Sequence, residues 1–223
     1  MDAIVIMAKA PLPNEVKTRL TPPLKPEAAA RLYHNFLLDK IEQVKTIKEA
    51  QPFLAYTPVA EEKFFRSIIP PAFTLISQVG ADLGERLANI SNILFDRGFE
   101  KVVMLDSDTP NLPPDYIREA LRRLDEVDIV IGPCEDGGYF LAGMKRSIPE
   151  LFKGIPWSTS EVTSHTVKKA RAMGLLISQI EKWYDVDTMD DLSRLKRDMS
   201  SGEEKGSFFA ANTFNFLSGM KID

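Results

Sequence analysis

Four carboxylates stand in two pairs with i, i+2 spacing, Asp106 with Asp108 and Asp185 with Asp187. The first pair closes the apolar run Val102 to Leu105, which reads as a buried strand, and Pro110, Pro113 and Pro114 then force a turn. The second pair follows a late apolar stretch, Leu175 to Ile180, and reads as another strand end. Ligands of open α/β sheets bind just beyond the carboxyl ends of strands. Hard oxygen ligands brought there suit Mg²⁺ or Mn²⁺ carrying a nucleotide diphosphate. The plainer reading is that the acids solvate turns or cap the helix beginning near Pro114. One pair alone leaves these readings balanced. Two pairs, far apart in sequence and each at a strand end, favour a metal site.

Cations that could meet phosphate lie in the proline-stiffened loop after the first strand, which holds Lys9, Lys17 and Arg19. Arg offers a planar fork and Lys a point charge. In an extended loop Lys17 and Arg19 would point the same way, whereas Lys9 reads as an ordinary surface cation. A second cluster is Gln78-Val-Gly-Ala-Asp-Leu-Gly-Glu-Arg86. Gly80 and Gly84 there would admit backbone close to a planar ligand, Arg86 sits one turn into a helix, and Asp82 doubles as an N-cap candidate. A third is Cys134-Glu-Asp-Gly-Gly-Tyr139. Asp136 with Gly137 and Gly138 reads either as a hairpin turn or as a backbone approach to substrate with an acid beside it. Trp157 could wall an acceptor pocket, though core is the commoner use of tryptophan. Tyr33, His34 and His165 read as packing or surface residues. Cys134 reads as a packed thiol, with no histidine near it in sequence.

The elements that must position these residues alternate regularly. Strands are expected at Ala3–Ala8, Pro52–Thr57, Phe73–Ser77, Val102–Leu105 and Asp128–Pro133, with helices between them. A long amphipathic helix spans Pro26–Lys48, on the apolar spacing of Leu32, Phe36, Leu37, Ile41 and Val44. This alternation indicates βαβ units and a mostly parallel sheet. Ser158 with Glu161, and Thr188 with Asp191, have capping-box spacing at the heads of two further helices.

The chain has 223 residues, 44% hydrophobic and 27% charged, with a formal net charge of −4. That is one α/β domain with a sizeable core and without the basic surface that nucleic acid requires. A single cysteine excludes an intrachain disulfide or a multi-cysteine zinc site. No run approaches the ~18 apolar residues of a spanning helix. A cytoplasmic protein with no membrane partner is expected. The natural division is residues 1–198 as the domain and 199–223 as a tail, in which Ser200 to Gly206 is linker-like and Phe208, Phe209, Phe214, Phe216 and Leu217 are dense enough to dock on the domain or on a second copy.

Taken together, Ala8-Lys-Ala-Pro with Val16-Lys-Thr-Arg-Leu20, Asp82-Leu-Gly-Glu-Arg86, Asp106-x-Asp-x-Pro110, Gly132-Pro-x-Glu-Asp-Gly-Gly-Tyr139, Pro156-Trp-Ser-Thr159 and Asp185-Val-Asp-Thr188 resemble the DUF2064 family of the nucleotide-diphospho-sugar transferase (GT-A) superfamily. The motifs run in family order over about residues 1 to 197. The resemblance implies a three-layer α/β/α sandwich around a mostly parallel mixed sheet. It also implies phosphate contacts from Lys17 and Arg19, a base site at Gly80 to Gly84, and Mg²⁺ or Mn²⁺ on Asp108 and Asp187. Family members usually have Pro-Gly where this chain has Asn14-Glu15, and glycine where it has Asp106. The activity so implied is metal-dependent sugar transfer from a nucleotide-diphospho-sugar to a small acceptor, with Asp136 as base or acceptor-orienting acid. The alternatives are a nucleotidylyltransferase joining an NTP to a phosphorylated small molecule, and a non-catalytic nucleotide-binding module.

Overall fold

The computed structural model describes residues 1–201 and 208–220. Seven strands form one sheet: β1 (Asp2–Lys9), β2 (Ala50–Thr57), β3 (Thr74–Ser77), β4 (Val102–Leu105), β5 (Ile129–Pro133), β6 (Tyr139–Met144) and β7 (Ile177–Gln179), in the spatial order β3-β2-β1-β4-β6-β5-β7. Only β6 runs antiparallel to its neighbours, because it returns from β5 through a tight hairpin. The other pairings are parallel.

Alternation along β1 divides the core in two. Ile4 and Ile6 face one layer and Ala3 and Val5 the other, all fully buried. The first layer contains α1 (Pro26–Lys45), α2 (Glu62–Ile68), α4 (Pro114–Arg123), α6 (Met189–Ser201) and α7 (Ala211–Ser218). The second contains α3 (Leu83–Asp96), the 3-10 turn Pro149–Phe152 and α5 (Val162–Ala172). The result is a three-layer α/β/α sandwich with a mixed, mostly parallel sheet. Burying each large aliphatic side chain of these layers contributes about 1.5–3 kcal/mol.

Local chemistry sets the element ends. Helix α3 starts at Asp82, whose side chain accepts from Glu85 N at 2.8 Å while Glu85 Oε2 accepts from Ala81 N at 2.8 Å. Thr188 and Asp191 form the expected reciprocal cap at the head of α6, with Asp191 Oδ2 accepting from Thr188 N at 2.8 Å. The box expected from Ser158 and Glu161 does not form. Ser158 lies at φ 64°, and α5 begins only at Val162 after an uncapped Glu161.

The aromatic tail folds back on its own chain, where α7 packs on α1. Asp39, buried within α1, accepts from Asn212 N at 2.9 Å and Thr213 N at 2.8 Å. A side chain of one helix thus satisfies the orphan N–H groups that begin another. Of the linker-like stretch, Ser200 and Ser201 belong to α6, and 202–207 lie outside the described residues.

Candidate active site

The carboxyl ends of β1 and β4 open into a cleft of about 630 Å³. Lys17, Arg19, Asp82, Arg86, Asp106, Asp108, Trp157 and Asp187 all line it, drawn from segments up to 170 residues apart. At its centre Lys17 Nζ lies 2.5 Å from Asp108 Oδ1 and 2.9 Å from Asp187 Oδ1. Arg19 Nη1 reaches the other oxygen of Asp187 at 3.3 Å. The Lys17 side chain is 2% exposed, whereas Asp108 and Asp187 are 37% and 32% exposed. The lysine therefore lies beneath two carboxylates that face the cleft.

Chain geometry builds this contact. Lys17 holds a left-handed backbone at φ 50° and precedes the short 3-10 turn Thr18–Leu20. The loop is not extended, yet both cations converge on Asp187. That backbone costs a non-glycine residue roughly 1–2 kcal/mol, which the two ion pairs of its ammonium can offset. Asn14 is also left-handed at φ 65°, a conformation asparagine tolerates. Asp187 is carried in by residues 183 to 188. Trp183 N donates to Pro133 O at 3.1 Å and Val186 N to Asp108 O at 3.0 Å. Tyr184 is stacked under Arg194 and accepts from Asn111 Nδ2 at 2.8 Å.

The electrostatics follow from burial and pairing. Burial opposes the charge on Lys17, but Asp108 and Asp187 prevail and hold its pKa above the usual lysine value. Burial likewise opposes the charge on Asp187, and Lys17 and Arg19 bring its pKa below the carboxylate norm. The inner members of the two pairs behave oppositely. Burial pushes Asp106 up, against the pull of buried Lys40, whose ammonium lies 4.0 Å away. Lys40 donates to Thr109 Oγ1 at 2.7 Å, and that hydroxyl donates to Asp106 Oδ1 at 2.7 Å. Burial, together with Asp136 and Asp187, raises Asp185 to about 7.

The four acids do not form one cluster. Asp108 and Asp187 share Lys17, whereas Asp185 groups with Asp136 and Cys134, their ligand atoms all within 4.8 Å of one another. Burial, then Asp106 and Asp185, push the Cys134 thiol far up. It stays protonated and does not suit a hard cation. Asp108 and Asp187 offer hard oxygens from separate segments, each about a third exposed, and are the residues of the cleft that could hold Mg²⁺ or Mn²⁺.

Several glycines serve the fold rather than a ligand. A Cβ on Gly84 would strike Phe152 O at 2.6 Å and Trp157 Nε1 at 2.8 Å, so its close approach is to helix α3's own neighbours. Gly80, at φ 146°, makes the turn into α3, and its carbonyl accepts from Arg86 Nε at 3.1 Å. Gly137, at φ 95°, presses on the Ser160 carbonyl, and Gly138 N donates to Asp136 Oδ1 at 2.8 Å. The hairpin reading of 134–138 thus accounts for both glycines, and the gaps expected for a planar ligand at Gly80 and Gly84 and for a substrate at Gly137 are filled by protein. Asp136, Gly138 and Asp185 are not among the cleft-lining residues. Trp157 lines the cleft while packing edge-on to Tyr139, with ring centroids 6.1 Å apart.

The motifs assign no role to three supporting residues. Tyr33, buried in α1, accepts from Lys9 N at 3.1 Å and hydrogen-bonds Ser107 Oγ at 2.7 Å. Gln78 bridges β1 and β2 through Ala8 O and Ala55 O, at 3.0 and 2.8 Å. Lys40 did leave a signal: it is a cation on the apolar stripe of α1, seven residues after Tyr33 and four after Phe36.

The sheet and its flanking helices have the nucleotide-diphospho-sugar transferase-like fold. More particularly, residues 40–159 match the family model described as "Uncharacterized protein conserved in bacteria (DUF2064)", and the chain belongs to that family. A solved protein from Desulfovibrio desulfuricans G20, bearing the name "putative nucleotide-diphospho-sugar transferase", is 33% identical over 98% of this chain and 95% of its own, with a TM-score of 0.88. At 13% identity the fold extends to CMP:2-keto-3-deoxy-manno-octonic acid synthetase complexed with CTP (TM-score 0.58, covering 91% and 100%). It extends equally to Rv0371c of Mycobacterium tuberculosis H37Rv in complex with manganese (TM-score 0.50, covering 87% and 97%). No curated protein matches the chain in sequence. Among the described residues no helix is long and apolar enough to cross a membrane.

Proposed function

We propose that the chain is a metal-dependent transferase that moves the sugar of a nucleotide-diphospho-sugar to a small-molecule acceptor. The observation that carries this reading is the convergence of Lys17, Arg19, Asp108 and Asp187 in one cleft beyond the ends of β1 and β4. In sugar transfer the bond between the anomeric carbon and the diphosphate oxygen breaks, the acceptor oxygen bonds to that carbon, and the acceptor proton passes to a base. Charge gathers on the departing nucleoside diphosphate. A Mg²⁺ or Mn²⁺ on Asp108 and Asp187 would supply Lewis-acid neutralisation of that charge. Arg19, 63% exposed on its side chain, can swing a guanidinium fork onto phosphate oxygens. Lys17, pinned below, holds the two carboxylates in place, an electrostatic arrangement fixed before reaction. On the nucleoside side, Arg86 spends one donor on Gly80 and has others for the ligand. Asp136, beside Asp185, is assigned to the acceptor side.

A second reading, nucleotidyl transfer from an NTP to a phosphorylated substrate, is favoured by the fold shared with a CTP-bound synthetase. The same cations and acids would then stabilise attack on the α-phosphate. Thermal melts against UDP-, GDP-, ADP- and TDP-sugars and free NTPs, each with Mn²⁺, Mg²⁺ or EDTA, separate the two, because ligand bound to the folded state raises the melting temperature. A metal-dependent rise with one nucleotide-sugar, absent in Asp108→Ala, supports sugar transfer. A rise confined to an NTP supports nucleotidyl transfer. No rise with any of them removes the basis for both.

A further inference from the structure

A second cavity, of about 530 Å³, lies on the other side of the β5–β6 hairpin, between α5 and the edge strand β7. Lys168 and Arg171 come to it from α5 and Lys182 from the segment after β7, together with the hydroxyl-bearing Ser160 and Ser164. No carboxylate is among its lining residues. The chain is acidic overall, and several cations of the described surface are paired, such as Lys101 with Asp125 and Arg118 with Glu49. Lys168, Arg171 and Lys182 form no ion pair among the described residues. Two of them stand i, i+3 on one helix face, where like charges repel. The dipole of α5 favours a cation in its last turn and accounts for Arg171. It does not account for Lys182, which arrives from another element.

We propose that this groove binds the phosphate group of a small molecule. Three cationic side chains in a concave site, with the Ser160 hydroxyl beside them, supply the charge-assisted donors that phosphate oxygens accept. The groove wall is well fixed: Thr163 N donates to Gly137 O at 3.0 Å and Thr163 Oγ1 to Gly138 O at 2.5 Å, which lock α5 to the hairpin. The hairpin also connects the groove to the chemistry. Cys134 lines the groove, and its sulfur lies within 4.8 Å of carboxyl oxygens of Asp136 and Asp185. A bound phosphate monoester can therefore lie against the turn that carries Asp136. Asp136 and Asp185, next to Cys134, are the acids closest to the groove, and neither lines it. Glu161 lies 3.6 Å from His165, and Glu181, exposed beside Lys182 in sequence, is not among the lining residues.

The test uses the full chain in EDTA, which silences metal-dependent binding in the main cleft, and titrates inorganic phosphate and glucose 6-phosphate by calorimetry. Wild type and Arg19→Ala should bind both alike. The double variant Arg171→Ala/Lys182→Ala, shown to be folded by an unchanged melting temperature without ligand, should bind at least about tenfold more weakly, since two charge-assisted contacts are lost. Tighter binding of glucose 6-phosphate than of inorganic phosphate identifies a phosphorylated metabolite as the occupant. Equal binding identifies the free anion. Unchanged affinity in the double variant, or loss of binding in Arg19→Ala instead, overturns the proposal. Its failure is separable from failure of the transferase reading, because the metal-dependent response to nucleotide should persist in the double variant.

Discussion

The two acidic pairs share a spacing and differ in what each member meets. Asp108 and Asp187, the later residue of each pair, share one buried ammonium and face the cleft. Asp106 and Asp185, the earlier ones, turn toward other groups: Asp106 to Thr109 and Lys40, Asp185 to Asp136 and Cys134. Within a strand, i and i+2 lie on one face. Beyond the strand end that rule lapses, and a pair written the same way twice divides its members between two jobs. The outer acids share a cation, and at Asp187 the cations outweigh burial and lower its pKa. The inner ones are driven toward protonation by burial.

Removing the shared ammonium should produce the largest effect. Lys17→Ala leaves Asp108 without its cation and Asp187 with Arg19 alone. Breaking a buried ion pair costs about 3–5 kcal/mol, and because both acids are about a third exposed, a loss of roughly 2–3 kcal/mol is expected after solvent screening. If the two acids form a cation site, Mn²⁺ should raise the melting temperature more in Lys17→Ala than in wild type, because it replaces the missing charge. An equal rise in both proteins would separate Lys17 from the metal site.

The inner arrangement predicts a different response. Lys40→Met removes a fully buried cation from beside Asp106 and should cost about 2–3 kcal/mol, as the uncompensated partner of a buried pair does. Adding Asp106→Asn should recover part of that loss, giving a coupling of about 1 kcal/mol in a denaturant double-mutant cycle. Additive losses would mean that Lys40 acts through Thr109 alone. Neither single variant should abolish a metal-dependent nucleotide response, whereas Asp108→Asn should.

Much of this fold was legible because periodicity reports packing. The run Ala3 to Ala8 reads as a strand with two buried faces, and the structure buries it on both. The α1 stripe predicts its length to within three residues, since apolar spacing ends near Thr46. The site was legible in its outer members, Lys17, Arg19, Asp108 and Asp187, because strand ends place charged residues together. Spacing could not reveal that Gly84 yields to Trp157 or that Gly137 yields to Ser160, because a glycine looks the same in sequence whatever occupies the space it leaves. Nor could it foresee that Asp39, an acid on a buried helix face, caps the tail helix 173 residues away.

The pH dependence of stability discriminates between the two kinds of acid most directly. A carboxyl whose folded pKa is raised binds its proton more tightly in the folded state, so it disfavours folding as pH climbs from its unfolded value toward the raised one. For Asp185 that window runs from about 4, the free aspartate value, to about 7. Asp187 has the opposite sign: its pKa is lowered, so its contribution is present above the unfolded value and is lost as acid protonates it. Asp185→Asn, melted in EDTA, should therefore gain stability over wild type at pH 8 and show no gain at pH 4. Asp187→Asn should lose stability at pH 8 and converge on wild type in acid. Two curves of the same sign would mean that the environment does not divide the pair.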